Sequence, residues 1–208
     1  SRDWSSDMCS SDLAAWRELV QWAPKVAVVP EALFKGISTL ESPAALGFLI
    51  DAPAAPPIQA GVPTVVLDRL QDAGNVGSIL RSAAAFGFGQ VVALKGTAGL
   101  WSSKVLRAGM GAHFALHLVE GQGVEDLSVL DLPLLATSSH GGADLPDADL
   151  PWPAAWVLGH EGQGVQEALL EGCAQRVRIP QPGGEESLNV AAAAAVCLYE
   201  SARRRQRA

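Results

Sequence analysis

Short apolar runs alternate with longer helical patterns over most of the chain. Six runs have the length and apolar character of buried strands, and in chain order they are TVVLD, QVVAL, FALHLV, LPLLATS, AAWVLG and RVRIP. Four segments have helical spacing of apolar residues, namely NVGSILRSAAAFG, SSKVLRAGMGA, GVQEALLEGCA and SLNVAAAAAVCLYESARRR. Apolar strands separated by helices predict an α/β fold, in which a mostly parallel sheet has helices on both faces.

The N-terminal quarter follows a different pattern. Residues 1–13 are rich in Ser and Asp and resemble translated sequencing-adapter read-through, so we expect them to be non-native or disordered and the native N-terminus to be missing. After them, AAWRELVQW and EALFKGIS predict helical segments, whereas KVAVVP and AALGFLID predict strands. Four prolines in DAPAAPPIQAGVP indicate a linker. We therefore predict a small α/β domain over residues 14–57 and a larger domain over residues 58–208.

Charge is unevenly distributed along the 208 residues, which carry 15 basic and 22 acidic side chains. Residues 58–118 have five basic against two acidic side chains and residues 176–208 have six against three, whereas residues 119–175 have ten acidic and no basic ones. A nucleic-acid partner requires a local basic face and not a basic protein, so the net charge of −7 does not exclude RNA. An ordinary solvated surface would explain the same pattern.

Cysteine spacing and hydropathy indicate where in the cell the protein is expected. The three cysteines lie far apart without a CxxC pair, so neither a disulfide framework nor a zinc site is expected. The stretch from Leu188 to Tyr199 is shorter than the roughly 20 apolar residues that cross a bilayer, and the start has no secretory signal pattern. We therefore expect a cytoplasmic protein with no bound metal and no membrane partner.

Ligands of parallel α/β sheets bind beyond the carboxyl ends of the strands. In this chain those positions are residues 68–81, 137–142, 159–164 and 180–189. Asn75 either caps the helix that follows or belongs to a site, and Arg81 is either a salt-bridged structural residue or a cation directed at a ligand. The turn at 159–164 lacks the GxGxxG pattern, so it is either a tight turn or a close backbone approach to a ligand.

Three further polar groups have structural explanations beside functional ones. Ser187 is expected to cap the last helix, and Asn189 would then lie in its first turn, where asparagine is a middling helix former. Lys104 and Arg107 lie three residues apart on a predicted helix and are either a phosphate contact or a solvated face. A pair of histidines at 113 and 117 has no third ligand nearby, so no metal is assigned.

Three motifs in this order resemble the SpoU (TrmH-like) class of the SPOUT superfamily, the RNA ribose 2′-O-methyltransferases. They are N-x-G-x-x-x-R-x-x-x-x-F-G from Asn75 to Gly87, L-G-H-E-G-x-G from Leu158 to Gly164, and I-P-x-P-G-x-x-x-S-L-N-V-A-x-A from Ile179 to Ala193. The order and spacing fit from about residue 62 to 204. Three motifs in order are far more specific than any one of them.

The resemblance implies a C-terminal deep trefoil knot that holds S-adenosylmethionine in a bent form. It also implies a homodimer, and it makes residues 14–57 a truncated N-terminal RNA substrate-binding domain. The cofactor contacts implied by the family, mostly through backbone groups, are Thr137, Gly159, Ile179, Pro180 and Leu188.

The resemblance further implies methyl transfer to a ribose hydroxyl of ribosomal or transfer RNA. A guanidinium is effectively never deprotonated, so we expect Arg81 to be buried against the sugar and to stabilise charge on the 2′-oxygen. The family motifs assign the orientation of Arg81 and the ribose to Asn75, Glu161, Ser187 and Asn189. The alternatives are an RNA-binding module of the same fold that no longer methylates, and a small-molecule methyltransferase.

Overall fold

The computed structural model describes residues 18, 20–38, 46–51, 54, 56–139, 141–183 and 188–205. Contacts between residues divide the chain into two compact units, Ser1–Asp51 and Ala52–Ala208. In the part of the chain that the structure describes, no helix is long and apolar enough to span a membrane.

The first unit contains helix α1 (Glu31–Ile37), as EALFKGIS predicted, with an ion pair of 2.5 Å between Lys35 and Glu31. The strand predicted for residues 25–30 is absent, and so is the described part, residues 46–51, of the strand predicted for 44–51. Val28 is 65% and Leu49 fully exposed to solvent. A strand requires a hydrogen-bonding partner and a covered face, and these segments have neither among the described residues of the unit. The helix predicted from residue 14 lies mostly outside the described residues.

The second unit is built on one seven-stranded sheet in which every pair of neighbours is parallel. The strands are β1 (Thr64–Leu67), β2 (Gln90–Leu94), β3 (His117–Gln122), β4 (Leu134–Ser138), β5 (Ala143–Asp144), β6 (Ala155–Leu158) and β7 (Gln175–Arg178). Their order across the sheet is β3-β2-β1-β6-β4-β7-β5. The prediction of a mostly parallel α/β sheet is confirmed.

In the described residues of this unit, four α-helices accompany the sheet: α2 (Ala73–Phe86), α3 (Ser103–Gly109), α4 (Glu167–Glu171) and α5 (Val190–Arg205). Side chains alternate between the two faces of a sheet, so neighbouring residues of a strand belong to two separate cores. Val65 and Leu67 lie in the core that includes residues of α2, α3 and α5. Val66 lies in the second core, with Leu169 of α4 and Leu127 of the 3₁₀ helix Glu125–Leu130. Both faces of the sheet are therefore covered, as predicted.

The strand predicted to begin at Phe114 begins later, at His117, because a 3₁₀ helix (Ala112–Ala115) precedes it. The chain reverses after α3 through Met110 and Gly111, both with left-handed backbone conformation. This turn brings the His113 ring over Gly109, where its Nε2 lies 2.8 Å from the carbonyl oxygen of Leu100. Burial of His113 requires the compact turn, which replaces the first residues of the predicted strand.

Helix α2 packs closely against both α3 and α5. A Cβ atom on Gly77 would overlap Ala108 and lie 2.7 Å from the Gly109 nitrogen, so the two helices meet at backbone distance. On the α5 side, the Tyr199 and Phe86 rings meet edge to face at 5.7 Å between centroids. These contacts fix α2 in the middle of a three-helix layer.

Candidate functional site

Three neighbouring strands bring the predicted cofactor segments to the same end of the sheet. Strand β4 lies between β6 and β7, and all three run parallel. Thr137 lies near the carboxyl end of β4, whereas Gly159 and Ile179 directly follow the carboxyl ends of β6 and β7. The carboxyl ends of neighbouring parallel strands lie at the same end of the sheet, so these predicted contacts lie there together.

The three sequence motifs are joined directly by side-chain hydrogen bonds. Asn75 of α2 donates from Nδ2 to a carboxylate oxygen of Glu161 at 3.2 Å. Asn189, immediately before α5, donates from Nδ2 to Oδ1 of Asn75 at 3.0 Å. Segments that lie far apart in the sequence therefore meet at the amino-terminal ends of two helices.

Of the two asparagines, only Asn189 caps a helix. Helix α2 is capped by Asp72, whose carboxylate accepts the backbone N–H of Asn75 at 2.7 Å, so the Asn75 side chain is free to bond elsewhere. Asn189 caps α5 by accepting the backbone N–H groups of Ala191 and Ala192 at 2.9 and 3.3 Å. The capping role expected for Ser187 thus falls to Asn189, which donates and accepts at the same time, and Ser187 lies outside the described residues.

Arg81 is exposed, and the expectation that it is buried is wrong. It lies on α2 in an open groove of about 510 Å³ between α2 and α5, opposite Ala191 and Ala192. Small side chains on this side of α5 leave room beside the guanidinium. Among the described residues no carboxylate pairs with Arg81, and none of Asn75, Glu161 and Asn189 hydrogen-bonds to it. Its cation therefore faces the groove instead of serving a structural ion pair.

The loop after β6 is compact because glycines occupy its tightest positions. Gly159 is buried, and a Cβ there would overlap the backbone of Gly164 and Val165. The carbonyl of His160 accepts the N–H of Gly164 at 2.8 Å, and Gly164 has a φ of 69°. Glu161 is exposed at the tip, so the turn presents a carboxylate above the sheet edge.

A buried carboxylate at the end of β1, not predicted from the sequence, holds the other side of this loop. Asp68 is fully buried and accepts the backbone N–H and the side-chain amide of Gln166, each at 2.8 Å. It also accepts two hydrogen bonds from the guanidinium of Arg69, at 2.9 and 3.2 Å. The signal in the sequence was an acidic residue ending an apolar strand, since a buried carboxylate requires hydrogen-bond donors.

The predicted cofactor contacts differ in their hydrogen bonding and burial. The Thr137 hydroxyl donates to the Val157 carbonyl at 3.1 Å and so links β4 to β6. Ile179 is half-buried and packs on the core, whereas Pro180 and Leu188 are exposed. No group of three or more His, Cys, Asp or Glu side chains within the described ranges has the geometry of a metal site.

The cations predicted on α3 and the histidine pair have distinct surroundings. Lys104 and Arg107 are exposed and have no acidic partner among the described residues. His113 lies in the 3₁₀ helix, whereas His117 begins β3, where its Nε2 lies 2.7 Å from the carbonyl oxygen of Pro57.

Comparison with known protein families identifies the family that shares these motifs. Residues 63–199 match the model of the SpoU rRNA Methylase family. The chain belongs to this family. The match spans every strand and the three motifs, so the SpoU family membership covers the whole sheet and most of α5.

Relatives within the SpoU family are named as ribosomal RNA methyltransferases. The 23S rRNA (guanosine-2′-O-)-methyltransferase RlmB of Bordetella pertussis is 37% identical over 146 residues, which are 68% of this chain and 60% of the relative. The 23S rRNA (guanosine(2553)-2′-O)-methyltransferase RlmP of Bacillus subtilis is 31% identical over 83% of this chain and 70% of its own. The chain thus spans less than two thirds of the length of the Bordetella relative.

Solved structures of a SpoU methyltransferase and of a TrmH-family protein have the same fold. The methyltransferase AviRb from Streptomyces viridochromogenes, in complex with AdoMet, superposes with a TM-score of 0.65 at 32% identity, covering 73% of this chain and 64% of that one. A TrmH-family protein from Porphyromonas gingivalis reaches a TM-score of 0.76 at 33% identity, covering 90% and 80%.

Proposed function

We propose that the protein is an S-adenosylmethionine-dependent RNA 2′-O-ribose methyltransferase that acts on ribosomal or transfer RNA. The observation that carries this proposal is the hydrogen-bonded chain from Glu161 through Asn75 to Asn189, beside an Arg81 that has no acidic partner among the described residues. The relatives named as rRNA 2′-O-methyltransferases support the same activity.

The cofactor site would lie at the carboxyl ends of β6, β4 and β7. Gly159 fits this role, because the chain approaches itself too closely there for any side chain and leaves backbone to line a ligand. The proposed contacts are Thr137, Gly159, Ile179, Pro180 and Leu188. When bound, S-adenosylmethionine supplies an electrophilic methyl group. AviRb, a relative of known structure, is described in complex with this cofactor.

The residues around the groove would position the ribose and stabilise its reacting oxygen. The guanidinium of Arg81 remains protonated, so it acts as a cation and hydrogen-bond donor toward the developing charge on the 2′-oxygen. The 2′-hydroxyl proton leaves to water or to the neighbouring RNA phosphate. Asn75, Glu161 and Asn189 hold the helix ends that frame the groove, and we assign the ribose-orienting role to them together with Ser187.

The activity is tested by incubating the chain with labelled S-adenosylmethionine and bulk rRNA or tRNA that lacks native modifications. We expect label at a ribose 2′-oxygen, located by mapping of the methylated nucleotide. Cofactor binding by calorimetry without transfer to either RNA would contradict the proposal and favour an RNA-binding module that does not methylate.

The role of Arg81 is tested by Arg81→Ala. We expect turnover to fall about 10²–10³-fold, the loss typical of one donor aimed at a developing negative charge, while S-adenosylmethionine affinity changes little. Because Arg81 is exposed, the variant should fold normally. Loss of cofactor binding in the variant would refute the catalytic role, and Ser82→Ala in the same groove is the control.

RNA would contact the basic face of the second unit. Arg81, Lys104 and Arg107 are exposed, and they lie in the segment with the net positive charge. Each neutralised phosphate releases counterions, so RNA affinity should fall steeply as salt increases. Lys104→Gln with Arg107→Gln should lower the slope of log affinity against log salt by about 1–2. An unchanged slope would place the RNA elsewhere.

We further propose a homodimer whose interface includes the groove between α2 and α5. Val196 and Tyr199 are exposed apolar residues on α5, and the groove is lined mainly by small side chains. A second copy would cover these residues and complete the site around Arg81. Light scattering should give twice the chain mass, and Tyr199→Glu should give the single-chain mass. A monomeric wild type would contradict this assembly.

Three family features complete the proposal. A C-terminal trefoil knot is supported by the position of β6 between β1 and β4 and by the return of α5 to α2. Residues 14–57 would serve as an RNA substrate-binding domain. The protein would act in the cytoplasm, where the free thiols of Cys173 and Cys197 would stay reduced. A crystal structure with RNA bound tests the first two features together, since it traces the chain path and the RNA contacts.

A further inference from the structure

The carboxylate of Asp68 and the guanidinium of Arg69 form one hydrogen-bonded unit at the end of β1. Asp68 is fully buried, and its four hydrogen bonds come from Arg69 and Gln166. Such complete pairing is required for a carboxylate that has lost contact with water. The hydrogen bond with Asp68 also raises the pKa of the Arg69 guanidinium above its ordinary value, so this cation stays charged.

Arg69 extends the unit from Asp68 to the tip of the loop after β6. Its guanidinium donates to the side-chain carbonyl of Gln163 at 3.0 Å and lies 3.4 Å from the carbonyl oxygen of Gly164. The residue has a φ of 59°, a left-handed conformation that non-glycine residues seldom adopt. Arg69 therefore bonds the loop from a backbone conformation that requires stabilising contacts.

The loop after β6 is thus bonded at both ends of its exposed tip. On one side Glu161 accepts from Asn75, and on the other side Gln163, Gly164 and Gln166 bond the Asp68–Arg69 unit. Three of the six residues between positions 159 and 164 are glycines, so without these bonds the segment would sample many backbone conformations.

We propose that Asp68 and Arg69 are positioning residues that hold residues 159–166 in the cofactor-binding conformation before the cofactor arrives. This inference rests on the proposed function, because the loop carries the proposed cofactor contact Gly159 and the proposed ribose-orienting residue Glu161. Neither side chain touches a reacting atom. Their effect is preorganisation, which increases cofactor affinity by reducing the ordering that binding must impose.

The decisive variant is Asp68→Asn, which preserves shape but replaces one carboxylate oxygen with an amide that cannot accept hydrogen bonds. We expect the Kd and KM for S-adenosylmethionine to increase about 10–100-fold, whereas kcat at saturating cofactor stays within about threefold. This split separates positioning from catalysis. The matched control is Asp126→Asn, because Asp126 accepts the Gly123 N–H at 2.7 Å in the 3₁₀ helix that follows β3, which is three strands from β6 in the sheet.

A milder variant keeps the test decisive if Asp68→Asn does not fold. Gln163 is exposed, so Gln163→Ala removes a partner of Arg69 without disturbing the core. We expect an unchanged Tm and a cofactor Kd raised about two- to fivefold. The double variant Asp68→Asn with Gln166→Glu exchanges the carboxylate and the amide between these two side chains. It should recover part of the affinity for S-adenosylmethionine that Asp68→Asn loses. Unchanged cofactor affinity in a folded Asp68→Asn, or in Gln163→Ala if the former does not fold, would overturn the proposal.

Hydrogen exchange separates failure of this inference from failure of the proposed function. In the ligand-free chain, Asp68→Asn should accelerate amide exchange over residues 160–166 by more than tenfold, whereas Asp126→Asn should not. If the wild type binds no S-adenosylmethionine but Asp68→Asn still accelerates this exchange, the proposed function fails and the loop-holding role stands. If exchange over residues 160–166 is unchanged, the positioning role fails whatever the activity.

Discussion

Replacement of Gly77 by alanine tests whether the close approach of α2 and α3 is required. A Cβ at this position would overlap the Ala108 side chain and lie 2.7 and 2.8 Å from backbone atoms of Gly109 and Ala108. Backbone atoms cannot rotate away, so α3 would have to move by a few tenths of an ångström or more. Overpacking of this kind costs about 2–3 kcal/mol at the upper end of its usual range.

The same substitution has a favourable effect that must be subtracted. Alanine stabilises a helix interior by about 1 kcal/mol relative to glycine. The net expectation for Gly77→Ala is therefore destabilisation by about 1–2 kcal/mol, or a Tm lower by about 2–8 °C for a unit of this size. Urea unfolding followed by circular dichroism measures the change, with the exposed neighbour Ser78→Ala as control, expected within about 0.5 kcal/mol. A Gly77→Ala variant as stable as the wild type, or more stable, would refute the argument.

Two further predictions concern α5. Hydrogen bonds from Arg203, and from Arg204, lower the pKa of Glu200 from 4.5 to about 2. The ionised carboxylate therefore stabilises the fold above about pH 4.5, and this stabilisation is lost as the pH falls toward 2. The decrease in Tm caused by Glu200→Gln should be constant from pH 6 to 8 and become smaller in acid. A decrease that does not depend on pH would contradict this. The Ser201 hydroxyl accepts the indole N–H of the fully buried Trp156 at 2.9 Å. Ser201→Ala should therefore lower the free energy of unfolding in urea by about 1–3 kcal/mol. An unchanged free energy would show that the indole has another acceptor.

Matched controls for these two variants lie on the surface. Glu171→Gln removes an exposed carboxylate at the end of α4 and should leave the acid profile unchanged. Ser128→Ala removes an exposed hydroxyl that bonds only the local carbonyl of Glu125 and should change stability by less than about 0.5 kcal/mol.

The pattern of apolar residues predicted the second unit well because its sheet is buried on both faces. Strands β1, β2 and β6 are wholly buried and consist almost entirely of apolar residues, a signal that needs no knowledge of their partners. The same reasoning failed in the first unit, where KVAVVP is apolar but exposed. Hydrophobicity indicates that a segment requires a partner, but not whether the chain provides one.

Individual side-chain roles depended on contacts that spacing does not encode. Asn75 looked like a helix cap because asparagine is a common one, yet Asp72, three residues earlier, takes that position and frees the amide for Glu161. The partners of Asp68 are Arg69, its neighbour in the chain, and Gln166 in a distant loop. The motifs identified the segments that meet, and only the folded chain showed which atoms bond.

The order of strands has a consequence for how the chain is made. Strand β1 is the third of the seven strands and lies between β2 and β6. Its Thr64 pairs with Ala155 of β6, which the ribosome adds far later. During synthesis the inner edge of β1 has no native partner until β6 has emerged. A nascent chain halted before that point exposes an apolar, unpaired strand edge, the kind of surface that promotes aggregation. Synthesis of this protein therefore includes a long interval in which that strand edge is open to pairing with other chains.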